Sequence, residues 1–177
     1  MSKPDNATLP LPWPPVIAEA RSPFTAVRVA TLMLARSRGG LMLYNWATEH
    51  PESVACVAGI YPVCNLKSYP GLATACGAYG LTEAELTAQL GQNNPIDRLV
   101  PLAKAKIPLF HIHGDSDALV PLTDNSAELA GRYREVGGSI ELVVPPGQGH
   151  NMWEGFFQCD ELVQFVIKHA ARETKNK

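Results

Sequence analysis

Ser37, Asp117 and His150 are an alcohol, a carboxylic acid and an imidazole, far apart in a chain of 177 residues. Together those groups can do one kind of chemistry. A serine hydroxyl is a poor nucleophile at neutral pH and attacks a carbonyl only when a base takes its proton. An imidazole titrates in the right range to be that base, and a carboxylate fixes its tautomer and stabilises its charged form. Ser37 lies in LMLARSRGGLML, residues 32–43, where an apolar run stops at Ala35 and resumes at Leu41. Taken singly, Ser37 reads as a turn residue, Asp117 as a turn or helix-capping residue and His150 as a loop histidine. The chemistry requires that the fold bring them together.

The elements around them predict how. Residues 27–35 are apolar and partly β-branched, as in a buried strand. Residues 39–50 continue as a mostly apolar helix that Pro51 stops. Residues 54–60, 108–113 and 139–144 read as three more strands, and residues 123–136 and 160–172 as helices. Thr82 and Glu85 have the spacing of a capping box ahead of a short helix. Buried strands alternating with helices predict an α/β fold, a parallel sheet with helices on both faces. Ser37 follows the first strand, Asp117 the third and His150 the fourth, and in a parallel sheet the strands' carboxyl ends share one edge. Residues 1–23 hold six prolines and read as an irregular arm. Residues 24–177 form one domain, with residues 65–105 as a small lid-like insertion.

Here the motifs resemble a known family. Ala35-Arg36-Ser37-Arg38-Gly39 resembles the nucleophile elbow of the α/β-hydrolase superfamily, a serine flanked by small residues between strand and helix. His113-Gly114-Asp115-Ser116-Asp117-Ala118-Leu119-Val120-Pro121 resembles its HGxxDxxVP segment, and Gly147-Gln148-Gly149-His150 the loop that delivers its histidine. The order Ser, Asp, His is that superfamily's order. The resemblance implies Ser37 as nucleophile, Asp117 rather than Asp115 as the acid, and His150 as the base. It implies Arg38 N–H as an oxyanion donor, small residues at positions 35 and 39 for the tight turn, and Gly40 for close packing of helix on strand. Trp153 and Phe156, after His150, are candidates to line the substrate pocket, with core packing as the other reading of both. The esterase and lipase branch and the peptidase-like branch both fit.

The same resemblance exposes a gap. The superfamily carries four strands and two helices ahead of its elbow, and one of those loops supplies a second oxyanion N–H. Only 28 residues precede Val29, and the first glycine is Gly39. The second donor is expected to be missing, or to come from the arm or another subunit. The outer edge of the Ser37 strand should likewise be covered by the arm or by a second copy of the chain, which predicts a homodimer.

Composition narrows the partners. The net charge is -2, with no long basic block, which argues against nucleic acid or an anionic membrane surface. No apolar stretch reaches the ~18 residues of a membrane span, and the first residues lack a signal-like apolar segment, so a cytoplasmic location is expected. The four cysteines form no CxxC pair and read as reduced thiols. His111-Ile112-His113-Gly114-Asp115 also resembles the start of the metallo-β-lactamase-type metal motif, but Ser116 stands where that motif has its next histidine. No metal or cofactor is expected, and activity should survive a chelator. The expected function is hydrolysis of carboxylic esters with short acyl chains through an acyl-enzyme. The alternatives are a peptidase or thioesterase of the same fold, or a degenerate hydrolase with a binding or structural role.

Overall fold

Val54–Ile60 is buried at every position, and a strand without a polar face needs cover on both sides. In the computed structural model, which describes residues 30–170, that cover is complete. The expected arm over residues 1–23, the start of the first expected strand and the end of the last expected helix lie outside the described residues.

Four parallel strands stand in the order β1 (Thr31–Arg36), β2 (Val54–Ile60), β3 (Leu109–Ile112) and β4 (Ile140–Val143). The helices are α1 (Gly39–Glu49), α2 (Leu72–Ala75), α3 (Glu83–Ala88), α4 (Leu90–Asn93), α5 (Val100–Lys104), α6 (Glu128–Glu135) and α7 (Asp160–Ala170). One face of the sheet packs Val57 and Leu109 against Tyr44 of α1, Leu102 of α5 and Leu129 and Tyr133 of α6. The other packs Cys56, Ala58, Phe110 and Ile112 against Leu162 and Phe165 of α7. Each large side chain buried this way stabilises the fold by roughly 1.5–3 kcal/mol before entropy is counted.

Residues 65–105 divide into two parts. Leu66, Ala75, Leu86 and Leu90 make a separate small cluster, and α3 opens on the expected capping box between Thr82 and Glu85. Leu99, Leu102 and Ala103 instead belong to the main core, so the second part of that segment is body, not insertion. A second difference lies at residues 123–136, expected as one helix. Thr123–Ala127 is a wider π-helical turn, and α6 starts only after it. That turn lets the adjacent Asn125 and Ser126 both be fully buried. β1 ends the sheet, and among the described residues its outer edge pairs with nothing.

Candidate active site

The turn after β1 is built around Ser37, whose φ of 49° is a left-handed value that costs a non-glycine residue energy. The surroundings hold it there. Ser37 N–H donates to Ile60 O at 3.2 Å, and Ser37 O accepts from Val63 N–H at 2.9 Å and Gly40 N–H at 3.0 Å. Ala35 is buried below the turn. A Cβ on Gly40 would run into Pro62 and the Val63 carbonyl, whereas one on Gly39 would meet only Ala35 Cβ at 3.8 Å. The small residue demanded by close packing is therefore Gly40, and the size limit expected at Gly39 is absent.

Two loops meet over this turn. Asp117 follows β3 and is 5% exposed; its Oδ1 accepts the N–H groups of Leu119 at 3.0 Å and Val120 at 2.9 Å. His150 follows β4. The loops close on each other because Gly114 has no side chain: a Cβ there would strike the Gln148 backbone. Ser116 N–H donates to Gln148 O at 3.0 Å, and Asp115 Oδ1 accepts Gly147 N–H at 2.7 Å. Asp115 thus ties the loops together, and the carboxylate that meets His150 is that of Asp117. Tyr61, buried at the end of β2, places its ring 4.4 Å from the His150 ring centroid and donates its hydroxyl to Asn151 O at 3.0 Å.

The result is a continuous line. His150 Nδ1 lies 2.8 Å from Asp117 Oδ2, and His150 Nε2 lies 2.9 Å from Ser37 Oγ. A carboxylate accepts only, so His150 Nδ1 carries the proton and the bare Nε2 accepts from the Ser37 hydroxyl. That arrangement can deprotonate the alcohol as it attacks a carbonyl carbon. Arg38 N–H has no hydrogen-bond partner among the described residues and stands beside the start of α1.

Of the aromatic residues after His150, Phe156 belongs to the core and Trp153 lies nearer the surface. Phe156 is fully buried, with Tyr61 edge-on at 4.9 Å and Trp153 at 5.3 Å. It is a core residue under Tyr61 and offers no surface to a substrate, which decides for core packing and against the pocket reading at that position. Trp153 is 41% exposed and lies across Gly155, where a Cβ would collide with its ring. The cavity near the elbow is elsewhere. It encloses about 540 Å³ between α1 and the segment before α3, walled by Arg38, Leu41, Met42, Ala75, Ala78 and Tyr79. The sequence reading missed it because its walls come from two separate elements, neither with a motif. It also missed Tyr61 and Gly114, which act only through contacts across loops.

His111 and His113 are fully buried, and both point their Nδ1 atoms at Ser126 Oγ, at 2.9 and 2.8 Å. Among the described residues no cluster of three or more metal-ligating side chains forms. No disulfide joins the four cysteines. No helix among the described residues is long and apolar enough to cross a membrane.

Known structures share this architecture. The acylaminoacyl peptidase of Pyrococcus horikoshii superposes with a TM-score of 0.62 at 16% identity, over 85% of this chain and 26% of that one. Dipeptidyl peptidase 4 of Porphyromonas gingivalis gives 0.65 at 14% identity, over 78% and 19%. A truncated carbohydrate esterase from gut microbiota gives 0.64 at 16% identity, over 78% and 59%. At such identities the likeness is one of fold, and this chain spans about a fifth to a quarter of the two peptidases' length. No curated protein matches the sequence. The sequence pattern of the prolyl oligopeptidase family matches residues 32–177. By that match, over most of its length, the chain belongs to the prolyl oligopeptidase family, within the α/β-hydrolase superfamily.

Proposed function

We propose that the chain is a serine hydrolase that cleaves carboxylic esters through an acyl-enzyme on Ser37. The observation that carries the reading is the unbroken line from Asp117 Oδ2 through His150 to Ser37 Oγ, at 2.8 and 2.9 Å. Ser37 Oγ attacks the carbonyl carbon and His150 Nε2 takes its proton. Asp117 stabilises the imidazolium, which then returns the proton to the leaving oxygen. Water repeats the cycle to free the acid. Arg38 N–H supports the oxyanion. The cavity beside Arg38 is the natural place for the acyl chain.

Ester cleavage comes first because it asks least of the site. An alkoxide or phenoxide leaves far more readily than an amine, so an ester needs less stabilisation of its oxyanion. Peptide cleavage is the second reading, favoured by the family match. A matched ester and anilide of the same acyl group separate the two. The ester reading expects turnover of the ester well above that of the anilide, and equal or better anilide turnover overturns it. A fluorophosphonate probe should label wild-type protein and leave Ser37→Ala unlabelled. Absence of labelling in wild type would make the chain a non-catalytic member.

The open edge of β1, where Leu34 is 52% exposed, fits a homodimer in which a second copy covers that strand. Light scattering should give twice the chain mass, and a strict monomer counts against the dimer.

A further inference from the structure

We propose that Tyr44, His111, Ser126 and His113 form a buried hydrogen-bond chain of fixed polarity that positions Asp117 for His150, with Ser126 as its central positioning residue. The proposal rests on the serine-hydrolase reading above.

The four side chains come from three elements, α1, the region of β3 and the π-helical turn, and all are at zero exposure. Buried polar groups at such depth are costly unless every one is satisfied. Here each is. Tyr44 Oη lies 2.6 Å from His111 Nε2, and Ser126 Oγ bridges the two Nδ1 atoms at 2.9 and 2.8 Å. His113 Nε2 lies 2.8 Å from Val120 O and 3.4 Å from Asp117 Oδ2.

The proton order follows from one acceptor. Val120 O can only accept, so His113 carries its proton on Nε2. Burial lowers the pKa of His113 and pushes that of His111 down to about 3, so both rings are neutral at pH 7. His113 Nδ1 is then bare and accepts the Ser126 hydroxyl proton. Ser126 Oγ in turn accepts from His111 Nδ1–H, and His111 Nε2 accepts from the Tyr44 hydroxyl. Every donor points towards Asp117. The opposite tautomer of His113 would set a bare Nε2 against the Val120 carbonyl and the Asp117 carboxylate, lone pair against two oxygens. Ser126 supports the favoured tautomer by supplying the hydroxyl proton that its bare Nδ1 needs.

The link to the acid is the loop itself. Val120 receives the His113 proton on its carbonyl and gives its own N–H to Asp117 Oδ1. His113 thereby fixes the far end of the loop whose near end aims Oδ2 at His150. Gly59 on the neighbouring strand leaves room for this, since a Cβ there would sit 2.8 Å from His111 Cδ2.

Histidine nitrogen NMR on the full chain at pH 7 tests the polarity. The expected result is Nδ1–H at His111 and Nε2–H at His113; like tautomers, or a charged ring at either, overturn the chain. The positioning role is read from the second-order rate of fluorophosphonate labelling per folded molecule. Ser126→Ala, with two orphaned imidazole nitrogens, should label about 10-fold more slowly. Ser126→Thr, which keeps the hydroxyl, should recover most of that rate. Tyr44→Phe keeps the ring volume, removes only the terminal donor, and should cost about 2-fold to 3-fold if the links weaken with distance. Ser126→Ala labelling at the wild-type rate, with only a lower melting temperature, makes the chain mere packing and overturns the proposal. A wild-type chain that is not labelled at all overturns the hydrolase reading and the positioning role with it, whichever tautomers the NMR shows.

Discussion

At Asp117 the two carboxylate oxygens have separate duties. Oδ1 accepts two backbone N–H groups of its own loop, and Oδ2 faces His150. Asp117→Asn can keep the first duty with its amide oxygen, but its NH2 must then face His150 Nδ1. The imidazole is driven to the tautomer with its proton on Nε2, which cannot accept from Ser37. We expect kcat on a nitrophenyl ester to fall about 10⁴-fold with little change in melting temperature. Steady-state kinetics beside a thermal melt checks this, and near-normal turnover would remove Asp117 from the proposed mechanism. The meeting of these three side chains was legible because motif, order and strand ends all agreed. What Asp115 does was not, since its partner Gly147 is a loop residue with no side chain to read.

At the scale of elements, the joint between β1 and α1 depends on which glycine faces the neighbouring backbone. Gly39 and Gly40 look alike in sequence, yet only Gly40 lies against Pro62 and Val63. Gly40→Ala should therefore cost about 1–3 kcal/mol of stability through overpacking, and lower activity by shifting the turn that carries Ser37. Gly39→Ala fits the space available and should be neutral or slightly stabilising, since alanine suits a helix better. Urea unfolding of the two variants decides the matter; equal losses would show that the elbow, not the packing, sets the size limit. The same blindness explains the split helix at residues 123–136. Leu129 and Tyr133 gave the helical period, but nothing in that period shows that Asn125 and Ser126 must both face inward. Asn125 Oδ1 accepts from Cys64 and Asn65 N–H while Ser126 holds the two histidines, and the wider turn serves both.

For the whole molecule, the sheet was readable because β2 and β3 have no polar face except where His111 enters. The partners of that histidine were not legible, since Tyr44 and Ser126 come from elements distant in the chain and carry no motif. The burial of His111 has a consequence for the stability of the entire fold. In the unfolded chain His111 titrates near its ordinary 6.5, whereas in the folded state it stays neutral down to about 3. His113 is depressed in the same direction by burial. Between those limits the unfolded chain binds more protons, so stability rises with pH and is lost as pH falls below about 6.5. Each histidine adds a slope of up to about 1.4 kcal/mol per pH unit until its folded pKa is reached. Urea midpoints should therefore drop steeply from pH 7 to pH 5, above the range where most carboxylates protonate. His111→Phe leaves Tyr44 and Ser126 short of a partner and should be less stable at pH 7, yet its midpoint should vary less with pH. A wild-type midpoint unchanged between pH 7 and pH 5, or a His111→Phe slope as steep as the wild type's, would show that the buried imidazole is not what the fold protects from acid.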